Sequence, residues 1–155
     1  MALPVVMPSM AATPYYQGIE FGKTDWLEIS QDRITLFAEA TGDTRWIHLD
    51  PDRAARETPW KSTIIDGYLL LSLVPNLMPQ LLVLLGWSTA INTGVDRCEF
   101  PDVALASSRV RLGSRLARAR VLPQGGCRLG LDVWFEVEGS DAVPCRARVN
   151  YAYFA

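Results

Sequence analysis

The chain has 155 residues, 49% of them hydrophobic, and a formal net charge of −2. That composition suits one packed domain and excludes a disordered chain, and the charge argues against the strongly basic face that nucleic-acid binding demands. Three cysteines, Cys98, Cys127 and Cys145, stand at wide spacings without a C-x-x-C pair, so neither a disulfide framework nor a zinc knuckle is indicated and a reducing, cytoplasmic setting fits best.

Residues 1–18 are expected to be a poorly ordered lead-in, because the first dozen are apolar and Pro-containing yet lack the Lys or Arg of a signal peptide. Residues 19–155 are expected to form the single domain. Ile19 to Ile29 has the composition of an opening strand. Ser30 is a suitable helix N-cap with Asp32 in the first turn, Ile34, Phe37, Ala38 and Thr41 recur at helical spacing, and Gly42 supplies a stop. Asp50-Pro51 pairs an N-cap with proline at the first helical position, predicting a short helix through Ala54 and Ala55.

From Gly67 to Val95 no residue is charged, and length alone would allow a membrane span. Pro75 and Pro79 interrupt the middle, so a buried core helix from Gly67 at least to Val74 is predicted instead. Asp66 is placed to cap it, leaving the backbone N–H groups of Gly67 and Tyr68 without helical acceptors. In the second half the period changes to two. Ile91–Phe100 and Arg109–Val121 form strands, Leu129–Val137 and Cys145–Tyr153 alternate apolar with polar residues, and turns fall at Pro123–Gly126 and Gly139–Asp141. Gly113-Ser114 has the composition of a bulge. One apolar helix with several long antiparallel strands makes an α+β fold in which the sheet wraps the helix, since neither element alone buries its apolar face.

His48 is the only histidine, five positions after Asp43 and on an irregular connection between two helical patterns. It is thus the one side chain whose ordinary titration range lies near neutral pH, and Asp43 with His48 forms a candidate acid/base dyad. The alternative for a lone histidine is a hydrogen-bonded structural role. Asp43, His48 and Asp50 make a poor metal donor set, and no metal is expected. Arg109, Arg111, Arg115, Arg118 and Arg120 form either a basic rim for phosphates or a solvated strand face. Trp46, Trp60 and Trp134 have the character of core or interface aromatics.

The runs Phe37–Asp43, Trp46–Pro51, Thr63–Leu69, Asn92-Thr93-Gly94 and Phe100-Pro101 together resemble the MaoC-like dehydratases, hotdog-fold (R)-specific enoyl-CoA hydratases, and most closely their NodN-like branch. The resemblance spans about residues 19–154. It implies a hotdog fold, a catalytic Asp43–His48 pair that activates water, and an oxyanion donor at the Gly67 N–H. It also implies substrate contacts near Asp66, Tyr68, Asn92 and Gly94. The substrate would be an acyl thioester of coenzyme A or acyl carrier protein, with no cofactor beyond that carrier, and the assembly a homodimer or higher homo-oligomer. Two positions depart from the family pattern: Arg45-Trp46 stands where Asn-Pro is common, and Asp66 where a histidine usually precedes the glycine. Asp66 would either oppose the developing oxyanion charge or turn away as an N-cap. Thioesterase action on the same fold and non-catalytic acyl-thioester binding are the alternative activities.

Overall fold

Four long stretches, Thr89–Glu99 (β5), Arg109–Val121 (β6), Cys127–Val137 (β7) and Arg146–Phe154 (β8), carry the period-two pattern, and in the computed structural model all four are strands. The structure describes residues 3–155. With the short strands Glu20–Lys23 (β2) and Leu27–Glu28 (β3) they form one antiparallel sheet in the order β2-β6-β7-β8-β5, β3 pairing with β6 beyond the end of β2. Leu129, Leu131, Val133 and Phe135 of β7 face inwards and are buried, while Asp132, Trp134 and Glu136 point outwards. A one-residue slip would exchange those sets, so burial of one face pins the register.

The helix Gly67–Leu77 (α4) lies in the concavity of the sheet. Its Leu69, Leu70, Leu73, Val74 and Leu77 are buried in one cluster with Leu112, Leu116, Leu131 and Phe135. Each such side chain contributes about 1.5–3 kcal/mol relative to exposure, so this packing dominates the stability of the domain. The chain thus has the α+β hotdog arrangement expected of it. Pro75 does not end α4, which runs on to Leu77. Pro79 falls in the first turn of a 3-10 turn at Met78–Gln80, where its missing N–H is not required.

Three expectations are corrected. The lead-in is ordered where it is described: Val5–Met7 (β1) pairs in parallel with Leu82–Leu84 (β4), Met7 is fully buried, and a 3-10 helix spans Met10–Tyr16. Residues 1 and 2 of that lead-in lie outside the described residues. The run Leu81–Leu85 therefore supplies a strand, because β1 offers it backbone partners after α4 has ended. The opening strand is split at Thr24–Trp26, where the Thr24 hydroxyl accepts the Leu112 N–H at 3.0 Å in place of a ladder carbonyl. The bulge in β6 lies at Ala117, between the pairs Leu116–Leu131 and Arg118–Gly130, and not at Gly113-Ser114. Gly113 instead makes room for a neighbouring ring, since a Cβ there would stand 2.4 Å from Trp134. Because of the bulge, all five β6 arginines share the outer face.

Candidate active site

The end of one helix and the single helical turn after it meet the N-terminus of α4. The helix Gln31–Thr41 (α1) starts at Ser30, whose side chain accepts the Arg33 N–H at 3.3 Å, and stops at Gly42 in the left-handed conformation, φ 75°. Asp43 follows at once and accepts the Arg45 N–H at 3.1 Å, a local turn of the kind aspartate favours. The single helical turn Trp46–Leu49 (α2) then carries His48, and Asp50 caps the helix Pro51–Glu57 (α3) through the Arg53 N–H at 2.8 Å. The loop Thr63–Asp66 closes the group: Ile64 N–H donates to Ile47 O at 3.2 Å, and Ile65 N–H to Ala104 O at 2.8 Å.

His48 is buried, and its Nδ1 lies 2.8 Å from the Ile64 carbonyl. A carbonyl only accepts, so Nδ1 carries a proton and Nε2 is the ring atom left for proton transfer. Nε2 faces Asp66 Oδ2 at 3.9 Å. The carbonyl of His48 is itself held by the Gln31 amide at 2.7 Å, and Gln31 Oε1 accepts the Thr63 hydroxyl at 2.5 Å. Gln31 thus ties α1, α2 and the Thr63–Asp66 loop together. Nothing in the sequence near residue 31 announces that tie, which spans 17 residues to His48 and 32 to Thr63.

Asp66 is the N-cap of α4, and its Oδ1 accepts the Tyr68 N–H at 2.7 Å. That bond removes Tyr68 N–H from the free donors expected here, and leaves the Gly67 N–H without a hydrogen bond among the described residues. Gly67 is required by packing as well as by its position at the helix start. A Cβ there would lie 2.4 Å from the Phe100 ring, which also meets Tyr68 edge-on at 5.2 Å. His48, Asp66, Gly67 and Tyr68 line one cleft of about 280 Å³ with Arg45, Phe100, Asp102 and Pro144.

Asp43 and Arg45 form the other half of the cluster. Arg45 Nε lies 2.8 and 2.9 Å from the two Asp43 carboxylate oxygens, and its terminal nitrogen also contacts Asp43. These hydrogen bonds, and then the Arg45 backbone N–H, lower the Asp43 pKa to about 2 against a weaker opposing effect of desolvation. The same guanidinium reaches Asp66 Oδ2 at 3.7 Å. Asp43, His48 and Asp66 each place one potential ligand atom within 4.8 Å of the others. The positive charge lying against both carboxylates is Arg45, so the cluster is balanced by a side chain and is not read as a metal centre.

The structure therefore brings together Asp43, His48, Asp66, Gly67 and Tyr68. Asn92 and Gly94 are not among the residues lining the cleft. Both lie on β5, the last strand of the sheet, where Asn92 Oδ1 accepts the Gly94 N–H at 3.3 Å beside a register shift. No residue spacing could have shown this, because it follows from the strand order.

The sequence signature of the MaoC like domain matches residues 16–122, more than two thirds of the chain and all of the cleft except Pro144. The chain belongs to the MaoC-like family. This MaoC-like chain is 39% identical over 138 residues to 3-hydroxyacyl-thioester dehydratase Z of Mycobacterium tuberculosis, covering 89% of itself and 91% of that protein. It is 39% identical over 107 residues to nodulation protein N of Rhizobium leguminosarum bv. viciae, covering 66% of itself and 65% of that protein. Its fold matches the unliganded R-hydratase PhaJ1 of Pseudomonas aeruginosa with a TM-score of 0.69 at 19% identity, over 94% of this chain and 85% of the other.

Proposed function

We propose that the chain is a hydro-lyase that adds water reversibly to trans-2-enoyl thioesters, giving (R)-3-hydroxyacyl thioesters. The observation that carries this reading is the pairing of a tautomer-fixed His48 with the free Gly67 N–H at one cleft. The 39% identical relative named a 3-hydroxyacyl-thioester dehydratase supports it.

The thioester carbonyl accepts the Gly67 N–H at the positive end of α4. Water oxygen bonds to C3 while its proton passes to His48 Nε2, and the C2=C3 electron pair moves towards the thioester, placing negative charge on the carbonyl oxygen. A helix-terminal N–H stabilises that charge as it develops, by about 3–4 kcal/mol for one such donor. His48 then returns the proton to C2, so one water has been added and no charge is left over. Asp43 orients the water; with its oxygens held by Arg45 it is a weak base, and proton abstraction falls to His48. Proton transfer and carbonyl polarisation are both supplied by the chain, so the reaction calls for no cofactor beyond the coenzyme A or acyl carrier protein on the substrate.

The working unit is a homodimer built along β5. That strand is 11 residues long, pairs on one side only, and leaves Ile91 and Val95 exposed by 49% and 42%. A long unpaired edge with two exposed apolar side chains templates pairing with a second copy, which would deliver Asn92 and Gly94 to the partner's cleft. The three cysteines are free thiols, in keeping with a cytoplasmic enzyme. Among the described residues no helix is long and apolar enough to cross a membrane.

The test is the enoyl absorbance of crotonyl-CoA and of longer enoyl-CoAs, with light scattering for the assembly. A fall in absorbance that His48→Ala abolishes is expected, with a dimer mass. Release of free thiol instead would mark a thioesterase, and neither signal a binding protein.

A further inference from the structure

The two positions that depart from the family pattern, Arg45 and Asp66, are 21 residues apart in sequence and meet in space. Asp66 is buried, caps α4 with Oδ1, and points Oδ2 at both His48 Nε2, 3.9 Å away, and the Arg45 guanidinium, 3.7 Å away. Its carboxylate is therefore one residue from the N–H that would hold the oxyanion, where an unbalanced negative charge opposes the reaction. Arg45 is the cation that balances it. The other charged group lining this cleft, Asp102, is a second carboxylate, and its Oδ2 accepts the Val143 N–H at 2.8 Å. Asp43 adds a third carboxylate, already bound to the same guanidinium. Without Arg45 the carboxylates of Asp43 and Asp66 would stand beside His48 with no cation against them.

We propose that Arg45 is a positioning residue whose guanidinium neutralises Asp66, so that a carboxylate can cap α4 beside the Gly67 N–H without opposing the charge that develops there. This rests on the hydratase reading for its catalytic consequence, but the charge coupling itself is measurable without any substrate.

His48 is the only histidine in the chain, so its ring protons are assigned in a proton NMR spectrum without further labelling. The experiment compares the full chain with Arg45→Ala, Arg45→Gln and each of these combined with Asp66→Asn, using circular dichroism to confirm folding. Losing the cation leaves carboxylate facing the imidazole with nothing to offset it, and the midpoint of the pH-dependent His48 ring-proton shifts is expected to rise in the Arg45 variants. Adding Asp66→Asn, which keeps an oxygen to cap α4, is expected to reverse most of that rise. On crotonyl-CoA, loss of Arg45 is expected to lower kcat about tenfold, and Asp66→Asn to restore it to within about threefold of the unmodified protein. A midpoint that Asp66→Asn leaves where Arg45→Ala put it would overturn the pairing and reduce Arg45 to a tether on Asp43. Absence of hydration in the unmodified protein, with the midpoint reversal intact, would instead sink the hydratase reading and leave the pairing standing. Arg45→Gln decides the outcome if Arg45→Ala does not fold.

Discussion

The cluster at the start of α4 and the outer face of the sheet are built from the same side chains and behave differently. On the outer face Arg109 meets Glu138 at 2.9 Å, Arg111 meets Glu136 at 2.7 Å, and Arg115 and Arg148 share Asp132 at 2.8 and 2.6 Å. The Arg148 and Arg115 hydrogen bonds hold Asp132 below its ordinary range against some desolvation. Arg109 and Glu138 remain 49% and 43% exposed, and water screens such a pair. At α4, by contrast, His48 and Asp66 are buried, and the guanidinium that balances the Asp66 carboxylate reaches in from solvent. Similar ion pairs are thus screened in one place and set against buried groups in the other, and the difference is access to water. Arg109, Arg115, Arg118 and Arg120 are exposed on this face, whereas Arg111 is half-buried, pairing with Glu136 and lying over the Trp26 ring at 4.3 Å.

The contrast is broken most severely at His48. His48→Ala is expected to lower hydration of crotonyl-CoA about a hundredfold or more, read as the initial rate, while the protein stays folded. Gly67→Ala should act on both activity and stability: the added Cβ must displace the Phe100 ring, at a cost of about 1–3 kcal/mol in urea unfolding and a loss of hydration of about tenfold or more. Asp66→Ala removes the α4 cap, and about 1 kcal/mol of stability should go with it in the same assay. Asp43 sharpens the comparison by its sign. Its pKa is lowered in the folded state, so its contribution to stability is complete above about pH 4 and is lost as the pH falls through about 2. Stability measured from pH 5 down to pH 2 should fall less steeply in Arg45→Ala than in the unmodified protein. The smallest effect belongs to the outer face: Arg109→Ala is expected to change stability by no more than about 0.5 kcal/mol and to leave hydration unaltered.

Much of the local structure was legible in the residues because it depends on near neighbours. Ser30, Asp50 and Asp66 cap the helices they precede, Gly42 ends α1 in a conformation open to glycine, and the alternation in β7 and β8 marks an inward and an outward face. The pairing of Asp43 with the Arg45 backbone is equally local, a turn closed within two residues. The lead-in could not be read this way. Val5–Met7 is ordered only because β4 lies beside it, and 77 residues separate Val5 from its partner Leu82. The bulge was misplaced for a related reason: Gly113 signals a missing side chain, but what fills the space is Trp134 from the next strand.

Periodicity, capping and a lone histidine were enough to establish the class of fold, the candidate acid/base residue and the helix whose first N–H is free, since all three signals are local or compositional. Packing settled the rest. It fixed the His48 tautomer through the Ile64 carbonyl, recruited Gln31 to hold the loop, moved Asn92 and Gly94 to the open edge of the sheet, and set Arg45 against Asp66. Those outcomes depend on which backbone and side-chain groups come together when α4 is buried in the sheet, and burial determines which charges water no longer screens.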